Sequence, residues 1–359
     1  RDVNLDDISV ADESDIAAAG GKTGTEKETA ASTEIVGTVD LRGHRLQMTE
    51  FPAFGSGSIT STDADEFVTF DYLQSNDNGE YIDTGVAHNE STVVDIEYMP
   101  VNLPGNNAWT GYFGARTAGL TASSFVGWLH TENGFAGHYT GVNAVELFMT
   151  NLPPVKAFNK FAIHLEKNGE CRINGQPVDT GSGGTCGLND FLFCVNHAGK
   201  PGYNNKGRLF SCKMYAGSTP VRDFVSAMRC RTGEPGLFDR VENKFYTNLS
   251  GKGTFTPGGP RLDGRTIGEV IVDVPEGKSV ANRTMRLIGL LKLVKEGAGA
   301  YTPYVANQFF VGGTLVKAGK YCGGTFAPNA SYGAAETEIR ITSTGTMDMA
   351  GQTDFYFYK

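Results

Sequence analysis

The sequence predicts an all-β chain in which a two-sheet sandwich interrupts a stack of solenoid-like rungs. Three observations carry this. Glycine accounts for 47 of 359 residues, nearly twice the ~7% usual in globular proteins. Tyr and Phe number 14 and 22, while charged residues make up only 20% of the chain. Aromatic and β-branched side chains fill pleated faces and glycine supplies positive φ, so this composition suits short strands joined by tight turns. The periodic Ala, Leu, Glu and Lys runs that long helices need are scarce. A chain of this length exceeds what one core usually organises, and two or three domains are expected.

Residues 1–34 are acidic and poor in large apolar groups, with Asp2, Asp6, Asp7, Asp12, Glu13 and Asp15 close together. Such a segment buries too little surface to offset its ordering entropy. It reads as a polar tail, or as a segment that orders against a partner. Its Gly20-Gly21-Lys22-Thr23 approaches a phosphate-binding loop, but Ile16 stands where that loop needs glycine and no apolar helix follows. In residues 35–66, Val39, Leu41, Leu46 and Met48 are spaced by Gly43 and polar residues, followed by Gly55, Gly57 and Ile59. These are short strands with tight corners, stable only when stacked as rungs.

Residues 67–258 read as a succession of strands. Val94, Ile96 and Tyr98 alternate with Asp95 and Glu97, the pattern of a half-buried strand. Trp109–Ala115, Phe125–His130, Phe161–Leu165, Phe191–Val195 and Leu209–Tyr215 repeat the theme. Asn133-Gly134, Asn168-Gly169 and Asn174-Gly175 mark tight turns, and Phe161–Ile173 reads as a hairpin. About a dozen such strands argue for a two-sheet sandwich. In residues 259–359 the rung pattern returns: Val270, Val272 and Val274 alternate, then Met285, Leu287, Leu291 and Leu293, then Leu315 and Val316, then Ile339 and Ile341. The last three groups recur at roughly 20 to 25 residues, a solenoid period. No polar cap closes the pattern at Phe355–Lys359, so either the chain continues or this end pairs with another molecule. A start at Arg1 without an apolar signal region reads as a processed or excerpted chain.

The net charge is −9 and the pI about 5.2. No basic stripe is present, which argues against nucleic acid or an anionic membrane surface as partner. The most apolar stretch, Met285–Val294, is broken by Arg286 and Lys292 and is too short to span a bilayer, so no membrane insertion is expected. None of the six cysteines forms C-x-x-C. Alternation of Phe210, Cys212 and Met214 puts Cys212 on an apolar strand face, as a buried thiol.

Two stretches resemble known families. Tyr72-Leu73-Gln74-Ser75, Glu80–Gly85, Gly207–Tyr215, Val221-Arg222-Asp223-Phe224, Gly236-Leu237-Phe238-Asp239 and Lys244–Asn248 form an ordered series. It resembles the laminin-G-like, concanavalin-type jelly rolls of bacterial surface and phage-associated proteins. Leu293–Gly299 followed by Gly312–Gly319 is similar to an autotransporter-associated β-strand repeat, and Val39–Leu46 resembles a further rung. The resemblances imply a jelly roll over 67–258 between solenoid segments at 35–66 and 259–359, in a large secreted or surface-attached protein. One departure stands in the repeat: Pro303 falls where the repeat runs an apolar strand, and a proline that cannot donate to the ladder predicts a bent rung.

Concanavalin-type folds include glycoside hydrolases, but the E-x-D-x-(x)-E pattern is absent; Asp95-Ile96-Glu97 approaches it without a third acid. No G-x-S-x-G elbow occurs, and no enzymatic activity is expected. Sugar sites combine aromatic platforms with hydrogen-bonding groups. Trp109, Tyr112, Trp128 and His130 have that chemistry, the alternative being that both tryptophans fill the core. His130 and His138, flanking the Asn133-Gly134 turn near Glu132, are a possible metal set. Some laminin-G-type domains bind calcium, for which Asp223 and Asp239 are ligands by type; no other cofactor is expected. The reading is a non-enzymatic extracellular module for adhesion or glycan recognition on a solenoid stalk, with a glycan or surface ligand as partner. The alternative is a structural subunit of a fibre or surface layer, partnered by copies of itself.

Overall fold

The computed structural model describes residues 9–10, 38–49, 51, 57–63, 66–76, 79–89, 91–103, 110–117, 125–131, 134–140, 156–166, 172–177, 187–304, 309–322 and 337–348. All regular structure among them is β, in a β-solenoid arrangement joined to an antiparallel part. The chain divides into two compact units. One comprises residues 1–69, 228–234 and 258–359; the other comprises 70–227 and 235–257.

The first unit is the solenoid. One face stacks Thr38–Asp40, Ser58–Ser61, Arg286–Gly289 and Phe309–Phe310 in parallel, with Ser9–Val10 antiparallel on Thr38–Asp40. A second stacks Arg45–Met48, Gly268–Asp273, Leu291–Glu296, Thr314–Cys322 and Ile339–Asp348. A third line, Ser279–Asn282 on Ala300–Pro303, joins the later part of Thr314–Cys322. Gly268 lies opposite Leu291, Leu293 opposite Thr314, and Thr314 opposite Ile339, steps of 23, 21 and 25 residues. Because parallel rungs repeat in register, equivalent side chains form columns. Val39, Ile59 and Leu287 make one column, and Val280, Tyr301, Tyr321 and Met347 another. The tyrosine column is buried, with Tyr301 against Phe51 at 5.7 Å and Tyr321 at 5.5 Å between ring centroids.

Sharp corners close each rung. Gly297 has φ +70°, and a Cβ there would lie 2.2 Å from the Val274 carbonyl oxygen of the rung before; at Gly299 it would lie 2.2 Å from that of Pro275. Lys295 occupies the column of Val272 and Val316 and is equally buried. Its Nζ donates to the carbonyls of Glu296, Gly297 at 2.8 Å and Ala318 at 3.2 Å, so one ammonium gathers three carbonyl acceptors at the corner. Burial lowers its pKa from the ordinary lysine value, against the opposing pull of Asp273 and Glu296.

The bend expected at Pro303 does not occur. Ala300–Pro303 pairs with Ser279–Asn282 without a register shift. Pro303 takes the last strand position, and the next residue, Tyr304, donates its N–H to Asn282 O at 2.7 Å.

The second unit is built on two sheets. One runs Gly134–Thr140, Phe125–Thr131, Thr110–Arg116, Asn189–Leu192, Ile82–Ala87, with Val195–His197 and Lys200–Gly202 alongside. The other runs Gln176–Pro177, Arg172–Ile173, Phe161–Glu166, Thr92–Pro100, Gly207–Ala216, Phe67–Gln74, Thr219–Arg229, Pro235–Asp239, Lys244–Tyr246. Pairing in both is predominantly antiparallel, with Val195–His197 running parallel on Thr110–Arg116. Val94, Ile96, Tyr98, Ile163, Leu209, Cys212 and Met214 from the second sheet share one core with Ile82, Tyr112, Phe113 and Leu192 from the first. Cys212 is a free, buried thiol, and burial raises its pKa well above the ordinary range. Asn174 and Gly175, at φ 51° and 76°, form the turn between Arg172–Ile173 and Gln176–Pro177, the left-handed pair that Asn-Gly adopts at least cost.

Candidate functional site

The residues proposed for glycan contact do not form one described site. Trp109 lies outside the described residues. Trp128 and His130 lie on strand Phe125–Thr131, opposite Gly137 and Phe135 respectively. Tyr112 is 1% exposed, its ring 4.3 Å from that of Tyr98 in the core, so it offers no face to a ligand. The hairpin expected to bring His130 and His138 together does form, but His138 pairs with Gly127, three ladder positions from His130. Glu132 lies outside the described residues.

The calcium candidates belong to a buried polar network. Asp239 is 0% exposed, and its Oδ1 accepts the backbone N–H groups of Asp223 at 2.9 Å and Val241 at 3.0 Å. Its other oxygen faces Arg222 Nε at 3.7 Å. Arg222 donates to the carbonyls of Thr84 at 2.8 Å and Val221 at 2.6 Å, and pairs with Glu242 at 2.6 Å. The Tyr246 hydroxyl donates to Glu242 at 2.7 Å, and this bond, with Arg222, holds the Glu242 carboxyl below the ordinary range. Asp239 thus already has donors and a cation from the protein, so the arrangement supports a structural role and not a calcium site. Asp223 pairs outward with Arg240 at 3.7 Å. Among the described residues, no three His, Cys, Asp or Glu side chains converge as metal ligands.

Asp95 and Glu97 lie on the half-exposed strand face, engaged by His164 at 2.6 Å and Lys160 at 3.0 Å. A second His–Asp contact was not legible in the sequence. His88 Nδ1 and Asp190 Oδ2 meet at 2.6 Å with both side chains fully buried. Their 102-residue separation leaves no local signal.

A cleft in the solenoid unit has a volume of about 520 Å³, within the ~300–1,000 Å³ range of ligand pockets. Its lining is charged and hydroxylated, including Arg42, Arg229, Arg231, Thr62, Thr232 and Thr266. Two turns build it. Leu41–His44 is closed by His44 N–H to Leu41 O at 2.9 Å, and Asp40 Oδ1 accepts the Arg42 N–H at 3.1 Å. The tip after Arg229 is closed by Gly233 N–H to Arg229 O at 2.8 Å. That tip is tied to the rungs by Thr60 Oγ1 donating to Cys230 O at 2.6 Å and Cys230 N–H donating to Glu66 O at 2.9 Å. Asp63 is held on both oxygens by Arg265, at 2.5 and 2.8 Å. No residue pattern announced this cleft, because its two turns are some 190 residues apart in sequence and join only through rung stacking. No family model and no curated protein matches the chain.

Proposed function

We propose that this chain is an extracellular recognition module: a β-solenoid carrying a laminin-G-like jelly roll, without enzymatic activity, that binds a glycan at a surface. The observation that carries the reading is the register of the rungs across the inserted unit. Arg45–Met48 lies directly beside Glu269–Val272, and Ser58–Ser61 beside Arg286–Gly289. Strands more than 200 residues apart are therefore consecutive rungs, and the second compact unit falls between them in the sequence. Repeat scaffolds accommodate binding insertions in this way. Two sheets sharing one core, crossed by the Arg222 network of the motif residues, support the jelly-roll identity.

The test is binding of the full chain to a glycan array and to host-surface preparations. Saturable binding that falls at least tenfold in Trp128→Ala, with thermal unfolding unchanged, supports recognition through the inserted unit. An inert wild-type chain on every surface contradicts it.

A second reading, end-to-end assembly into a fibre, has its own observation. Among the described residues, Ile339–Asp348 pairs only with Thr314–Cys322, and Ile341 on it is 44% exposed. Parallel rungs presented at an edge template further strands. Sedimentation of the full chain over a hundredfold concentration range separates the readings, since a strictly monomeric chain rules out assembly.

A further inference from the structure

The arginine-lined cleft of the solenoid unit contains an outlier. Arg42 has φ +47° and precedes Gly43 at φ +82°, so both central residues of the Leu41–His44 turn are left-handed. Such a turn favours Asn or Gly at its first central position, because a longer side chain crowds its own backbone there. Strain of this kind persists where the side chain has a use that offsets it. The Arg42 side chain lines the cleft and, among the described residues, makes no ion pair. Arg231, on the opposing turn, likewise makes none.

The charges around them are already matched. Both Asp63 oxygens are taken by Arg265. Asp40 is buried and accepts from the Arg42 N–H, the Thr62 N–H and Thr62 Oγ1. Arg229 leans on Glu234 at 3.6 Å. What remains is Arg42 and Arg231 against Glu66, an excess of positive charge in a chain whose net charge is −9. Arg42 and Arg231 line the same cleft, and guanidinium forks match the planar geometry of a carboxylate, or the oxygens of a sulfate, better than any other side chain does. The hydroxyls of Thr62, Thr232 and Thr266 on the same walls suit the hydroxyls of a sugar ring.

We infer that this cleft binds the acidic group of an anionic saccharide, with Arg42 and Arg231 as the anion-holding pair. The inference rests on the recognition reading and adds a ligand class and a second site, built from residues of the solenoid unit.

Calorimetric titration of the full chain with oligogalacturonate, with the neutral galactose oligomer of equal length, and with polyglutamate tests it. The wild type is expected to bind the acidic sugar at least ~10-fold more tightly than the neutral one. Arg231→Ala should weaken acidic binding by roughly tenfold, and Glu66→Gln should strengthen it. Arg42→Asn is the discriminating variant: it relieves the strained turn, so its Tm should rise while acidic binding falls. A merely structural Arg42 would give a lowered Tm and unchanged affinity, which overturns the assignment. Equal binding of polyglutamate overturns the saccharide class. Preference for the neutral oligomer overturns the cleft but leaves recognition standing, whereas silence on the glycan array defeats recognition itself.

Discussion

Gly297 and Lys295 show how single residues hold a solenoid corner. A methyl group at Gly297 meets the Val274 carbonyl at 2.2 Å on a backbone already at φ +70°. Gly297→Ala is expected to cost about 2 kcal/mol or more, read as a lowered midpoint in urea unfolding. In the other unit, His88→Ala strips the buried Asp190 of its 2.6 Å partner, and the loss should be about 3 kcal/mol. A change under ~0.5 kcal/mol would show that the pair is not what satisfies that carboxylate. Buried hydroxyls set the alkaline limit. Burial raises the pKa of Tyr98, Tyr112 and Tyr301 above the ordinary value of 10.0. The folded state therefore holds these protons more tightly than the unfolded one. Their contribution is complete below pH ~10 and is lost as pH rises past it. Urea midpoints should fall between pH 9 and 11, with a shallower slope in Tyr98→Phe.

At the scale of elements, alternation was the legible part. Val94, Ile96 and Tyr98 turn inward and Asp95 and Glu97 outward as their period of two requires, because one face of that strand meets the core. Asn174-Gly175 named its own turn. The solenoid spacing was legible as well, since stacked rungs repeat chemistry at fixed intervals. Pro303 misled because a proline's effect depends on its place in a strand: at the last position its missing N–H breaks no bond. Tyr112 misled because aromatic chemistry is common to cores and sugar sites, and sequence alone does not separate them. The motif residues Arg222, Asp239 and Tyr246 were recognisable as a series, but their shared role required Thr84 and Glu242 to be brought beside them. Tyr246→Phe removes one bond of that network and should cost about 1 kcal/mol, measurable by thermal unfolding.

At the scale of the whole molecule, no local signal could say that residue 45 lies beside residue 269. The recognition proposal depends on that adjacency, and so does the proposed anion cleft, whose walls come from distant turns. Arg45 and Glu269 meet at 2.7 Å across neighbouring rungs, with 55% and 23% of their side chains exposed. The direct measurement is cysteine cross-linking of Arg45→Cys/Glu269→Cys with a short bifunctional reagent, located by peptide mass spectrometry. Glu269→Cys/Lys292→Cys, opposite one another on the next pair of rungs, serves as the positive control. An intrachain cross-link is expected in both variants with comparable yield. A cross-link in the control alone would contradict it, because the rungs flanking the inserted unit would then not be neighbours.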